Sequence, residues 1–535
     1  MAERLRFLPA GTGALLVELD NLEATLTLLD ELKAHSPDGV TELVPAARTL
    51  LVCFNPLTTD RTALVDAISS VDLSNRSSRH GETFEVPVIY DGEDLDDVAA
   101  LLGWTVEEVV RRHAEATYTV AFTGFAPGFA YMTCDDPGFD VPRRKSPRVR
   151  IPAGSVALGG KFGGIYPTDS PGGWQLLGRT PLKMWDTSRD RAALLAQGDR
   201  VRFRDMAKGN TVSLSDAPAV TSEGASSATD VAGLLVTRAD RPALFQDLGR
   251  PGQAGLGVSE SGALDRASLI EANLCVGNPR GSAVIEIAYG GFAVRADQPL
   301  TLAVTGASSA MTIRTADGRS LAAPLGRPFA VDVGDELTLE FPVEGTRSYL
   351  ATRGGFLVDK VLDSAATDTL AKVGPAPVVA GDILVPANAP ASAVDPYRPD
   401  PVALPTARET VTLDVVLGPR TNWFTKKALE TLLAQDWQVT AESSRVGVRL
   451  AGAEPLERAD TSELPSEGTP LGAIQVPHSG QPVLFLADHP LTGGYPVIGV
   501  VADHHLDLAS QIPIGAKIRF NAIAAFDPII RETDR

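Results

Sequence analysis

Glycine and proline set the first constraint on this chain. Residues 151–183 read IPAGSVALGGKFGGIYPTDSPGGWQLLGRTPLK, and a turn residue interrupts each apolar run before it reaches helical length. With 49 glycines and 39 prolines in 535 residues, short strands and tight turns dominate. The expected class is α+β, mainly β, with a small N-terminal α/β unit ahead of closed or sandwiched β domains.

Helical pattern is local. NLEATLTLLDELKAH and RTALVDAISSV alternate with strand-like ALLVEL and TLLVCFN, which predicts a small α+β unit over 1–80. TFEVPVIY opens a β unit over 81–208, whose second helix begins at a capping box, Thr105 with Glu108 three residues on. Residues 209–231 are small and polar and read as a linker. A β-rich part over 232–390, a proline-stiffened connector over 391–408 and a second β part over 409–525 follow, the last opening with the amphipathic NWFTKKALETLLAQDW. IPAGSVAL…GGIYP in the first half is echoed by VPHSGQPVLF…TGGYPVIG in the second.

Composition excludes several classes. Lysine and arginine total 48 against 67 acidic residues, a net charge of −19, which disfavours nucleic-acid and anionic-membrane partners. No apolar stretch approaches the ~20 residues of a membrane span, and the N-terminus carries charges through its apolar residues. Three cysteines without C-x-x-C spacing fit a reducing compartment, so the cytoplasm is expected. Phosphate-loop, G-x-S-x-G and H-E-x-x-H motifs are absent. The seven histidines are scattered apart from His504–His505, so no metal ligands are assigned.

What remains is a set of loops rich in glycine, aromatics and charge. TVAFTGFAPGFAYM, at 119–132, cannot be helical and displays Phe122, Phe125, Phe129 and Tyr131, either as a flat binding wall or as a plug in a barrel end. Arg143, Arg144, Lys145, Arg148 and Arg150 follow within eight residues and suit carboxylate or phosphate, or else form a solvated strand face. His113 shares a helix face with Val106, Val109 and Val110, the pattern of a core histidine as well as of an acid–base group. FQDLGRPGQAGLGVSESGALDR sets Asp247, Arg250, Ser259, Ser261 and Asp265 among glycines, and LADHPLTGGYPVIG brings Asp488 and His489 to another glycine turn. These stretches are expected to meet at one cleft.

Residues 1 to about 208, through FTGFAPGFAYM, PRVRIPAGSVAL and GIYPTDSPGGWQLLGRTPLKMWD, resemble the allophanate hydrolase subunit 1 (Kip inhibitor) family. Residues 232 to about 523, through FQDLGRPG, SGALDR, ANLCVGN, SEGTPLGAIQVP and LADHPLTGGYPVIGVV, resemble subunit 2, the Kip antagonist. The resemblance implies cyclophilin-like β-barrel domains in both halves. It also implies a fusion of the B and C subunits of an ATP-dependent 5-oxoprolinase, which uses ATP with magnesium as co-substrate and a separate LamB/YcsF-type A subunit. Within the matched motifs, Phe125, Pro127, Tyr131, Arg144, Arg148, Ser155, Tyr166, Asp247, Arg250, Ser261, Asp265, Gln475, Thr492 and Tyr495 are the expected substrate-binding positions. His113, Asp488 and His489 are the expected catalytic ones, and an oligomer is expected. Two alternatives stay open: a biotin-dependent carboxyltransferase component acting on urea or a related amide, and a non-catalytic kinase regulator. Two departures stand out. Phe162 replaces the glutamine of many relatives, and DSAATD (363–368) replaces Gly-Ser-Arg-Ser-x-Asp, putting Asp363, Ala365 and Ala366 at the Gly, Arg and second Ser positions.

Overall fold

A computed structural model describes residues 4–73, 81–144, 146, 148–208, 232–394 and 400–532. The expected linker over 209–231, part of the connector (395–399) and Lys145 lie outside the described residues. Strands hold 37% of the chain and helices 15%, as the mainly-β expectation requires.

The first sheet is antiparallel and runs Val40–Pro45, Thr49–Phe54, Ala14–Glu18, Arg4–Pro9. Helices Leu22–Ala34 and Arg61–Ser69 cover it, capped by the side chains of Asn21 and Asp60, which accept the N–H groups of Ala24 and Ala63. Its fifth strand comes from the other end of the chain. Ile529–Glu532 pairs antiparallel with the first strand, Arg4 opposite Glu532 and Phe7 opposite Ile529. No local pattern announces this, because strand pairing at that separation is decided by packing.

A seven-stranded sheet follows, ordered Gln175–Arg179, Ser155–Gly159, Phe162–Ile165, Ala130–Cys134, Thr117–Thr123, Arg200–Asp205, Thr83–Val88. Helices Leu95–Leu102 and Val106–Glu115 pack beside it, the second capped by Thr105, whose hydroxyl accepts the Glu108 N–H. In the second half a six-stranded and a five-stranded sheet between Leu234 and Leu384 share one core that includes Val236, Ile287, Phe292, Val304 and Leu350. A closed seven-stranded barrel then runs from Thr410 to Ala524, its first strand, Thr410–Leu417, pairing in parallel with its last, Lys517–Ala524. The helix Lys426–Ala434 starts at the Thr425 cap. Among the described residues no helix is long and apolar enough to cross a membrane.

Candidate functional site

The loop after strand Thr117–Thr123 is one of the places where the two halves of the chain touch. Phe125 adopts φ 64°, a left-handed conformation uncommon for a residue with a side chain. Its N–H donates to Thr492 Oγ1 at 3.0 Å, so a residue of the second half holds the strained backbone. Gly124 must lack a side chain, because a Cβ there would lie 2.7 Å from Thr492 Oγ1. On the other flank, Thr123 Oγ1 donates to the Gly255 carbonyl at 2.8 Å and the Gly128 N–H to the Leu256 carbonyl at 2.9 Å. Three loops therefore interlock: 123–130, 254–257 and 491–495.

The aromatics beside this junction pack on one another. Phe122 and Tyr131 stack at 4.5 Å, and Phe129 meets Phe125, Tyr166 and Trp174 edge-on at 5.3 Å each. Phe122, Phe129, Tyr131 and Tyr166 are buried, and only Phe125 is part-exposed. Most of the expected binding wall is thus a core plug. Tyr131 still reaches the seam with its hydroxyl, 3.5 Å from Ser466 Oγ.

The cation cluster divides in two. Arg144 Nη1 donates to Asp94 Oδ1 at 2.5 Å, while Arg148 donates to both oxygens of Asp94 at 2.9 and 2.7 Å. Asp94 is buried and also accepts the Leu176 N–H at 2.8 Å. Burial pushes its carboxyl up, but the Arg148 hydrogen bonds, the Leu176 N–H and both guanidinium charges hold it below the ordinary range. Arg144 and Arg148 are thus engaged inside the first half, not offered to a ligand. Arg143 finds different partners, across the boundary between the halves. It pairs with Glu463 at 3.2 Å and donates to Ser466 Oγ at 3.4 Å, which makes it the seam's guanidinium.

Beside Ser466 lies a cavity of about 330 Å³, lined in part by Arg6, Glu18, Arg48, Arg420, Trp423 and Glu467. Arg420 is buried; it donates to Glu18 at 2.8 Å and grips Glu467 with two nitrogens. Glu18 also accepts from Arg6 at 3.0 Å and Arg48 at 3.1 Å. Gln475 and Tyr495 belong to the C-terminal barrel and its loops, linked by Gln475 Nε2 donating to the Tyr495 carbonyl at 3.3 Å. The seam thus brings together Phe125, Tyr131 and Arg143 with Ser466 and Thr492, beside guanidinium and carboxylate groups.

The three expected proton-transfer residues are placed elsewhere or already engaged. His113 is 0% exposed, stacked on Phe203 at 4.4 Å, with Nδ1 bonded to the Tyr90 hydroxyl at 2.8 Å. Burial pushes its imidazolium down to about 3, the behaviour of a core histidine. His489 has both ring nitrogens against backbone carbonyls, Leu486 at 2.9 Å and Thr469 at 3.0 Å, so it braces the 469 and 486 segments. Asp488 accepts from Ser261 Oγ at 2.7 Å, from Thr369 N and Oγ1 at 2.8 and 2.7 Å, and from Arg445 at 2.9 and 3.0 Å. Burial pushes it up, but Arg445, Ser261 and Thr369 hold it below the usual carboxylate range.

Under the same loops sits a second carboxylate of different character. Asp368 accepts from Ser259 Oγ, Leu370 N and Ala371 N at 2.8–2.9 Å. Burial first, then the Asp488 charge, push it up to about 6. Arg250, 1% exposed, donates Nη2 to the Ala366 carbonyl and leaves Nε and Nη1 without a partner. Asp247 orders the neighbouring turn, accepting from Ser364 Oγ at 2.6 Å and the Ala365 N–H at 2.8 Å. Asp265 caps helix Arg266–Cys275 through Ser268, and Ser155 is buried in its strand. Asp363, at φ 63°, holds a left-handed backbone conformation that favours glycine. Sequence reasoning passed over Arg445 and Glu286, bonded to each other at 2.5 Å, and no local signal marks either. Asp368 lay unremarked at the end of the DSAATD motif.

Comparison with known proteins matches this architecture in two blocks. The family model described as "Carboxyltransferase domain, subdomain C and D" matches residues 5–195, and "Carboxyltransferase domain, subdomain A and B" matches 256–522. The first block is 38% identical to the 5-oxoprolinase B subunit of Escherichia coli O157:H7 over 179 residues, covering 32% of this chain and 80% of that protein. The second is 32% identical to the 5-oxoprolinase C subunit of E. coli K12 over 290 residues, covering 54% of this chain and 90% of that protein. The crystal structure of TTHA0988 superimposes with a TM-score of 0.77 at 33% identity, covering 95% of this chain and all of that one. The chain belongs to the carboxyltransferase-domain family that includes the B and C subunits of 5-oxoprolinase and the urea amidolyases, with the B-like and C-like blocks fused in that order.

Proposed function

We propose that this protein is the fused B/C component of a cytoplasmic, ATP-dependent 5-oxoprolinase, hydrolysing 5-oxo-L-proline to L-glutamate with a separate LamB/YcsF-type A subunit. The observation that carries the reading is the seam: a B-like and a C-like block held together by Phe125–Thr492 and Arg143–Ser466.

The chemistry fits such a seam. Amide resonance makes the lactam carbonyl a poor electrophile. Transfer of the γ-phosphoryl group of ATP to its oxygen, with loss of ADP, relieves that resonance. Water then adds at the carbon and the ring C–N bond breaks, giving γ-glutamyl phosphate, and a second water cleaves that acyl phosphate to glutamate and inorganic phosphate. A site for this must hold a carboxylate, phosphate charge and a small flat ring, and must exchange protons. Arg143 and Ser466 bind the substrate carboxylate in this proposal, and Phe125 lies against the ring. Asp368, pushed up to about 6, is the carboxyl suited to proton exchange near neutral pH, and Arg250, two of whose nitrogens lack partners, is the reserve of positive charge beside it. Because Arg250 and Asp368 are buried, the 364–371 segment must shift for a ligand to reach them. Magnesium enters with ATP as part of the co-substrate.

The test is glutamate formation from 5-oxoproline, ATP and magnesium, with this chain and a purified LamB/YcsF-type protein separately and together. Turnover only with both establishes the reading. No turnover beside an active reference enzyme removes it. Because both matched models are carboxyltransferase subdomains, transfer from carboxybiotin to urea or a related amide is the second reaction to assay.

A further inference from the structure

Away from the seam, one face of the C-terminal barrel gathers three donor groups. Asp414 lies on strand Thr410–Leu417, and His504 and His505 end the short 3-10 turn Asp503–His505, which follows the neighbouring strand Val497–Val501. A carboxylate oxygen and one nitrogen of each ring lie within 4.8 Å of one another. His504 Nε2 stands 3.0 Å from Asp414 Oδ2, and His505 Nδ1 stands 3.8 Å from the same oxygen. Ligand atoms around a tetrahedral ion at the usual bond lengths lie about 3.3 Å apart, between those two separations.

His505 Nδ1 accepts the Asp414 N–H at 2.8 Å, so the neutral ring carries its proton on Nε2. An ion bound at Nδ1 has to displace this hydrogen bond. The other carboxylate oxygen of Asp414 accepts Asn521 Nδ2 at 2.7 Å, which fixes the carboxylate as outer partners of metal ligands do. Both histidines also line a cavity of about 460 Å³ with Asp265, Glu271 and Asp507, a mouth whose acidic lining favours a cation.

We propose that Asp414, His504 and His505 bind a divalent transition-metal ion of the zinc class, with a remaining position open to that cavity. Two imidazole nitrogens and one carboxylate oxygen suit zinc or cobalt(II). Magnesium takes oxygen ligands and keeps much of its water, so this is not the ion that accompanies ATP, and the proposal stands apart from the oxoprolinase reading.

The full-length protein, stripped of metal by chelator, is titrated with cobalt(II) alone and followed by visible absorption, then with zinc alone by calorimetry. The expected result is saturable binding of a single ion per chain, with the strong visible bands of four- or five-coordinate cobalt. His504→Ala and Asp414→Asn each weaken binding at least tenfold; His478, whose ring packs edge-on against Tyr495 at 5.3 Å, is the control, and His478→Ala leaves binding unchanged. His504 is exposed, so its replacement leaves the fold intact, which circular dichroism checks. Absence of saturable binding overturns the proposal, as does full affinity in either His504→Ala or Asp414→Asn.

Discussion

Two buried carboxylates, one in each half, sit close to arginines and end differently. Asp94 is gripped by Arg144, Arg148 and the Leu176 N–H, and its proton affinity falls. Asp368 has hydroxyl and backbone donors, while nearby Arg250 spends one nitrogen on the Ala366 carbonyl, and its proton affinity rises to about 6. A carboxylate paired with guanidinium is a rivet. A carboxyl that no guanidinium grips directly, as Asp368 is, retains a titratable proton, and the unbonded nitrogens of Arg250 beside it leave a charge unspent, the combination a reacting site uses.

The largest effect belongs to the rivet kind. Arg445 joins Asp488 to Glu286 in the second half, all three buried. Arg445→Ala leaves Asp488 without its guanidinium and Glu286 with only Arg347, at 3.8 Å, and is expected to cost about 3–5 kcal/mol, read as a fall in the urea midpoint. A loss below about 1 kcal/mol would show that these carboxylates accept protons as readily as Asp368 does, and the comparison would collapse.

Arg250→Met tests the other side. Replacing a poorly satisfied buried charge by an apolar side chain of similar length is expected to change stability by no more than about 1 kcal/mol. Under the proposed oxoprolinase reading, glutamate formation with the partner protein should fall about a hundredfold, the scale of losing a buried charged partner. Activity that survives while stability collapses would make Arg250 a rivet as well.

The two carboxylates must also respond oppositely to pH. The folded pKa of Asp368 is raised, so its contribution is present in full below the unfolded value of about 4 and is lost as pH rises through about 6, on the order of 2–3 kcal/mol. The folded pKa of Asp94 is lowered, so its contribution is present above the unfolded value and is lost as pH falls through the folded one. Asp368→Asn should flatten the stability profile between pH 4 and 6, and Asp94→Asn the profile below pH 4. Urea midpoints across that range decide it. Parallel profiles in the two variants would contradict the assignment.

How far such features can be read in advance depends on how local their causes are. The mainly-β class follows from turn residues a few positions apart, and the Thr105 and Thr425 caps from hydroxyls three residues before the N–H they accept. Arg143 and Arg144 look equivalent in sequence, yet one faces Ser466 and the other Asp94, because the deciding partners lie 323 and 50 residues away. The same holds for Arg420 with Glu18, 402 residues apart, and for the last strand against the first. His504–His505 was visible as a pair, but its carboxylate lies 90 residues upstream on another strand. Residue type announces chemistry; only the fold decides which partner consumes it.

The smallest predicted effect bears on the aromatic loop. The Tyr131 ring is stacked on Phe122, and its hydroxyl meets Ser466 only at 3.5 Å, the limit of a hydrogen bond. Tyr131→Phe keeps the stack and should change stability by less than about 0.5 kcal/mol. If the seam binds substrate, the hydroxyl helps to hold Ser466 toward Arg143. KM for 5-oxoproline then rises a few-fold while kcat holds, because the loss falls on binding rather than on the reacting bonds. Unchanged KM would make this loop a plug alone, and the binding role would pass to Arg143 and the cavity beside Ser466, where Arg143→Ala is the next variant to measure.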